Sequence, residues 1–129
     1  MGQRGVRRPQ QPAAPSRSKK QLREDVFLRY GVECALCRLT VTELLSPYWL
    51  LVQQGSDSRD AEDALVLCPL HHQAMNVQLL AIHPESRQIA YRTHVDKEAL
   101  RVTVDDLSHL PNAPSKAALT TRWAAWESH

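Results

Sequence analysis

The chain has 129 residues, the size of one ordinary domain rather than two. Hydrophobic residues make up 43% and charged residues 23%, the balance of a soluble globular protein, but aromatics are only 5%; a core built mainly from Leu, Val and Ala is thin and suits a metal staple. No apolar run approaches the roughly 20 residues of a transmembrane helix, and the basic N-terminus has no apolar stretch behind it as a secretory signal would, so the expectation is an intracellular, cytoplasmic protein whose three cysteines are reduced.

The formal charge of +2 conceals an asymmetry. Residues 1–20 hold six basic side chains, Arg4, Arg7, Arg8, Arg17, Lys19 and Lys20, and no acidic one; the rest of the chain keeps 10 basic against 14 acidic groups, a net of −4. A nucleic-acid contact, if there is one, is therefore expected from these six residues and not from the folded body. Residues 1–18, with Pro9, Pro12 and Pro15 among Gln, Arg, Ser and Gly, read as a disordered basic tail, and 19–129 as the folded domain. The tail is either an electrostatic arm or a solvated leader.

Order is expected to begin at Ser18, which stands at capping-box spacing from Gln21. Leu22, Val26 and Tyr30 then share one face of a helix over about 19–30, with Phe27 beside them and Gly31 at the C-cap. Thr40–Leu45 reads as a short turn or helical segment. Tyr48–Val52 reads as a buried strand, and Gln53–Ala61 as a polar loop. Leu65–Leu67 is apolar and runs into Cys68. Pro69 suits the first turn of a helix over about 69–77. Leu79–Ile82 and Gln88–Arg92 read as two strands of a hairpin, and Ser115–Trp126 as a final helix with Ala118, Leu119, Arg122, Trp123 and Trp126 near one face.

Cys34-Ala35-Leu36-Cys37 has the spacing that lets a tight turn present two thiolates to one ion, and Cys68-Pro69-Leu70-His71 repeats it at the mouth of a predicted helix. Together they use every cysteine in the chain. Four protein ligands leave no open position, which describes a structural Zn2+ and not a catalytic one. The spacing favours His71 as the fourth ligand, with His72 as its competitor.

A knuckle, a strand, a loop and then Asp63-Ala64-Leu65-Val66-Leu67-Cys68-Pro69-Leu70-His71-His72 resembles the HNH endonuclease family, close to the HNH domains of modification-dependent restriction enzymes. Tyr30–Ala35, the Leu79–Ile89 hairpin and the stretch from Leu110-Pro111 to Arg122 look similar as well, so the likeness covers about residues 22–126. It implies an α+β fold: a small zinc-bound treble clef of the ββα-metal type, flanked by N- and C-terminal helices and followed by a β-hairpin. The family's chemistry needs a general-base histidine at the end of the first strand, an asparagine before the helix, and a helix histidine that holds a divalent ion on the scissile phosphate. On this pattern His72 takes the helix position, Asp63 the asparagine position and Trp49 the general-base position. An indole has no titratable lone pair near neutral pH, so Trp49 cannot take a proton from water; it reads instead as a residue anchoring its strand in the core. Asp63 could join His72 in holding Mg2+ or Mn2+.

Three functions follow: an HNH-like zinc domain associated with nucleic acid, DNA foremost, and impaired in cleavage; an active metal-dependent endonuclease with His72 and another base, for which His83, His94 and His109 are candidates; or a zinc-stabilised subunit that docks on a protein partner through Trp123 and Trp126. No membrane partner is expected.

Overall fold

The computed structural model describes residues 18–51 and 60–128, an α+β fold with three α-helices and two antiparallel β-hairpins among them. Of the tail read over 1–18, residues 1–17 lie outside the described residues, as do residues 53–59 of the loop read over Gln53–Ala61; Ala61 opens a short helical turn, Ala61–Asp63. No helix among the described residues is long and apolar enough to cross a membrane.

Helix α1, Lys19–Tyr30, starts as its sequence dictates: the Ser18 hydroxyl accepts from the Gln21 backbone N–H at 3.0 Å. The capping box is only half made, because the Gln21 amide turns forward to donate to Asp25 at 3.2 Å. Leu22, Val26 and Tyr30 are buried along one face. Gly31 ends the helix at φ 88°, ψ 166°, and its N–H donates to the Phe27 carbonyl at 2.8 Å. A positive φ combined with an extended ψ is a conformation that glycine alone adopts readily, and it departs from the left-handed cap that the sequence suggested.

Strands β1, Ser46–Trp49, and β2, Ala64–Leu67, form the central hairpin, in a register that runs from Ser46 opposite Leu67 to Trp49 opposite Ala64. β1 begins two residues earlier than composition suggested because Pro47 is accommodated. Its partner Val66 turns its carbonyl away from β1 to accept from Ala35 at 2.8 Å. The Pro47–Val66 pair is thus a non-hydrogen-bonded one, and the missing proline N–H falls on the outer edge, where the ladder needs no donor. All four β2 residues are buried, as expected of a strand with β1 on one edge and the Cys34–Cys37 turn on the other.

Helix α2, Pro69–Asn76, follows β2 after one residue. β3, Leu80–Ile82, and β4, Ile89–Tyr91, make the second hairpin, and α3, Lys116–Glu127, begins at Ser115, whose hydroxyl accepts from Ala118 N at 3.1 Å. The core joins Val26, Leu36, Leu45, Leu50, Leu65, Leu67, Met75, Leu80, Leu107 and Leu119.

The two tryptophans of α3 turn inward onto the second hairpin. The Trp126 ring N–H donates to the Gln78 carbonyl at 3.1 Å, the Arg92 guanidinium lies 4.3 Å from the Trp126 ring centre, and Trp123 meets the edge of His83. Arg122 links α3 to the centre of the molecule: its guanidinium stacks on Tyr48, donates to the Tyr48 hydroxyl, and donates to the Met75 carbonyl at 2.7 Å. Met75 is near the end of α2, so one side chain ties three elements together. Arg122→Ala is expected to lower the unfolding free energy by about 1–3 kcal/mol in urea titration, with Arg122→Lys recovering only part of the loss because an ammonium neither stacks nor forks.

Candidate metal centre

The turn after α1 is tied at both ends. Arg38 N donates to Cys34 O at 2.8 Å, Cys34 N donates to Leu39 O at 2.9 Å, and Arg38 takes a left-handed φ of 63° to close the loop. Its docking on Val66 carries Cys34 and Cys37 to the end of β2, where Cys68 caps α2 and His71 stands in the first turn of that helix. The ligand atoms of these four residues all lie within 4.8 Å of one another.

The spacing fits one tetrahedral ion. Zinc bonds of about 2.3 Å to sulfur and about 2.0 Å to nitrogen give tetrahedral edges of about 3.8 Å between sulfurs and about 3.5 Å between sulfur and nitrogen. The Cys37 and Cys68 sulfurs are 3.9 Å apart, and His71 Nδ1 is 3.5 Å from the Cys34 sulfur and 3.2 Å from that of Cys68.

The protonation pattern agrees. His71 is fully buried, and its Nε2 lies 2.8 Å from the Leu100 carbonyl oxygen. A carbonyl only accepts, so Nε2 carries a proton, which leaves Nδ1 as the ring nitrogen that could bind an ion among the three sulfurs. Burial pushes the Cys37 thiol up to about 12, and the Cys34 and Cys68 sulfurs push the same way against a hydrogen bond to the Leu39 backbone. Three thiolates so close together need a cation to coexist. The helix N-terminus at Cys68 adds partial positive charge of the right sign.

Leu100 belongs to a stretch that holds the centre from outside, since Thr103 N also donates to the Leu36 carbonyl within the Cys34–Cys37 turn at 2.9 Å. The sequence gives no hint of this partner, because a backbone carbonyl carries no residue signature.

His72 is turned away from the cluster. Its Nε2 lies 2.9 Å from Ser46 Oγ and 3.2 Å from the Ser46 carbonyl, and its ring meets the edge of Tyr48. Successive side chains of a strand alternate in direction, so Trp49 projects to the face opposite Tyr48. There it is half-buried and lines a recess against α1. Asp63 stands at the far end of the hairpin from His72: its carbonyl accepts from Leu50 N at 2.8 Å, whereas His72 reaches the Ser46 end, four residues and about 13 Å of strand away. Of the other histidines, His83 Nδ1 accepts from Glu85 N at 3.1 Å within its own turn, His94 lines a recess with Val77, Gln78, Leu79 and Arg92, and both ring nitrogens of His109 are buried without a hydrogen-bond partner. Among the described residues, the Cys34, Cys37, Cys68 and His71 cluster is the one group of three or more metal-type side chains. Of the basic candidates, Lys19 and Lys20 are exposed at the start of α1, while Arg4, Arg7, Arg8 and Arg17 lie outside the described residues.

No protein-family model matches the chain, and a search of curated proteins finds no match. The site geometry is therefore the basis for any functional reading.

Two outcomes are expected. Metal analysis should give about one zinc per chain, lost in Cys34→Ser and in His71→Ala but kept in His72→Ala; because structural zinc supplies folding energy of order 10 kcal/mol, the first two variants should also lose cooperative unfolding. Independently, burial raises the Asp63 carboxyl above its ordinary value, with Glu62 and Asp60 adding and a hydrogen bond with the Ser115 side chain opposing. A carboxyl raised in the fold is destabilising when ionised, and that penalty vanishes below its unfolded pKa. Asp63→Asn should thus raise the thermal midpoint at neutral pH, and the gain should disappear on acidification to about pH 3.

Proposed function

We propose that the chain is an HNH-like zinc domain of the ββα-metal type that does not cleave phosphodiesters and serves as a nucleic-acid-associated binding module. The zinc centre in this reading is Cys34, Cys37, Cys68 and His71, and its role is to hold the domain together. One observation carries the loss of cleavage: the residues at the family's catalytic positions do not share a site. His72 packs on Ser46 and Tyr48, Trp49 projects from the opposite face, and Asp63 stands at the far end of the hairpin. Hydrolysis needs a base and a metal ligand on either side of one phosphate, within a few Å.

Nucleic-acid association is supported by charge. The basic residues Arg4, Arg7, Arg8, Arg17, Lys19 and Lys20 adjoin a body whose own charge is negative, so they supply the favourable field. The alternative of a protein-docking subunit through Trp123 and Trp126 loses support because both rings pack on the chain's own second hairpin.

Plasmid nicking with Mg2+ or Mn2+ should show no cleavage above buffer; cleavage that vanishes in His72→Ala would contradict the proposal. Binding to duplex DNA should weaken with salt along a log–log slope of up to about −5, the limit for six released counterions, and should flatten when Arg4, Arg7, Arg8 and Arg17 are changed to Gln. Salt-insensitive binding, or none, would remove the nucleic-acid reading.

A further inference from the structure

The recess between the start of α1 and β1 has a volume of about 230 Å3 and is lined by Lys19, Leu22, Arg23, Ser46, Pro47 and Trp49. None of the six is acidic. An indole and a proline ring form apolar walls, and two cations stand on one helix face at the i, i+4 spacing. The Arg23 guanidinium is held in place, since it donates to the Leu45 carbonyl at 3.0 Å and lies 4.4 Å from the centre of the Phe27 ring. Lys19 is exposed, and Lys20 follows it in the same turn. Arg17 directly precedes Ser18 and Lys19 in the sequence.

Aromatic rings beside fixed cations are the ingredients of single-strand recognition. Every base has a π-face to stack on an indole, and the neighbouring phosphate needs a positive partner. Duplex DNA offers neither an unstacked base nor a way into a recess of this size. We propose that this recess is a binding site for an unpaired nucleotide of a single-stranded nucleic acid, with the base against Trp49 and the adjoining phosphate at Lys19 and Arg23. The site rests on the nucleic-acid reading above and sharpens it, because it moves the specific contact from the basic segment to the folded body. It also gives Trp49 a role on the face of the hairpin opposite His72.

The test is fluorescence anisotropy with a labelled oligo(dT) of about 12 nucleotides and a duplex of the same length, using the full zinc-loaded chain. Trp49→Ala should weaken oligo(dT) binding about tenfold or more, since one base–aromatic stack contributes roughly 1–3 kcal/mol. Trp49→Phe should keep most of the affinity, and duplex binding should be unchanged in both. Lys19→Glu, a change at an exposed position that leaves the core intact, should weaken oligo(dT) binding and reduce the salt slope by about one. Oligo(dT) binding by the parent chain that is equalled by Trp49→Ala, or by Lys19→Glu if the first variant loses its fold, would overturn the recess while leaving the electrostatic reading in place. Failure of the parent chain to bind either probe would overturn both.

Discussion

Three sulfurs and one imidazole nitrogen gathered within 4.8 Å form a donor set consistent with a structural Zn2+, and the turn after α1, the central hairpin and α2 all converge on it. The four side chains come from three places: the turn after α1, the end of β2 and the first turn of α2. Each is fixed by backbone hydrogen bonds before any ion is considered. Ala35 docks on Val66, Arg38 closes the turn on Cys34, and the Leu100 carbonyl sets the tautomer of His71. A metal bound there joins the N-terminal helix, the central hairpin, α2 and the stretch around Leu100. In a chain with 5% aromatics, that linkage does what a larger hydrophobic core does elsewhere.

The same scaffold holds His72, Trp49 and Asp63 apart. Pairing of β1 with β2 leaves Ser46 and Tyr48 in contact with His72 of α2, while Ser46 also borders the recess on the α1 side. Trp49 is one residue further on and so belongs to the other face; in a strand, a single position decides this entirely. Arg122 reinforces the arrangement by stacking on Tyr48 and binding the end of α2. The face beside α2 is thus occupied by structural contacts, and the functional interest of the hairpin passes to the α1 side, where Trp49, Lys19 and Arg23 share a recess.

Much of the fold was legible because its signals are local. The 3.6-residue period of Leu22, Val26 and Tyr30 marked α1, Pro69 marked the start of α2, and the matching spacings of Cys34 with Cys37 and Cys68 with His71 marked the metal cluster. What escaped was set by tertiary contacts. Apolar composition marks Tyr48–Val52, whereas β1 runs Ser46–Trp49, because pairing with Leu67 and Val66 takes in the polar Ser46 and a proline whose nitrogen faces outward. The choice between His71 and His72 depended on the Leu100 carbonyl, and the inward turn of Trp123 and Trp126 depended on Gln78, His83 and Arg92, none of which leaves a pattern in sequence. Trp49 was read as a core anchor; it is half-buried, packing against the core while lining a surface recess.

X-ray absorption at the zinc edge of the purified chain measures directly whether three sulfurs and one nitrogen close the coordination shell. Three scatterers at about 2.3 Å and one at about 2.0 Å, with no solvent ligand, are expected. A shell of five or six light atoms near 2.1 Å, or a first shell that keeps three sulfurs but replaces the imidazole by water, would contradict this coordination.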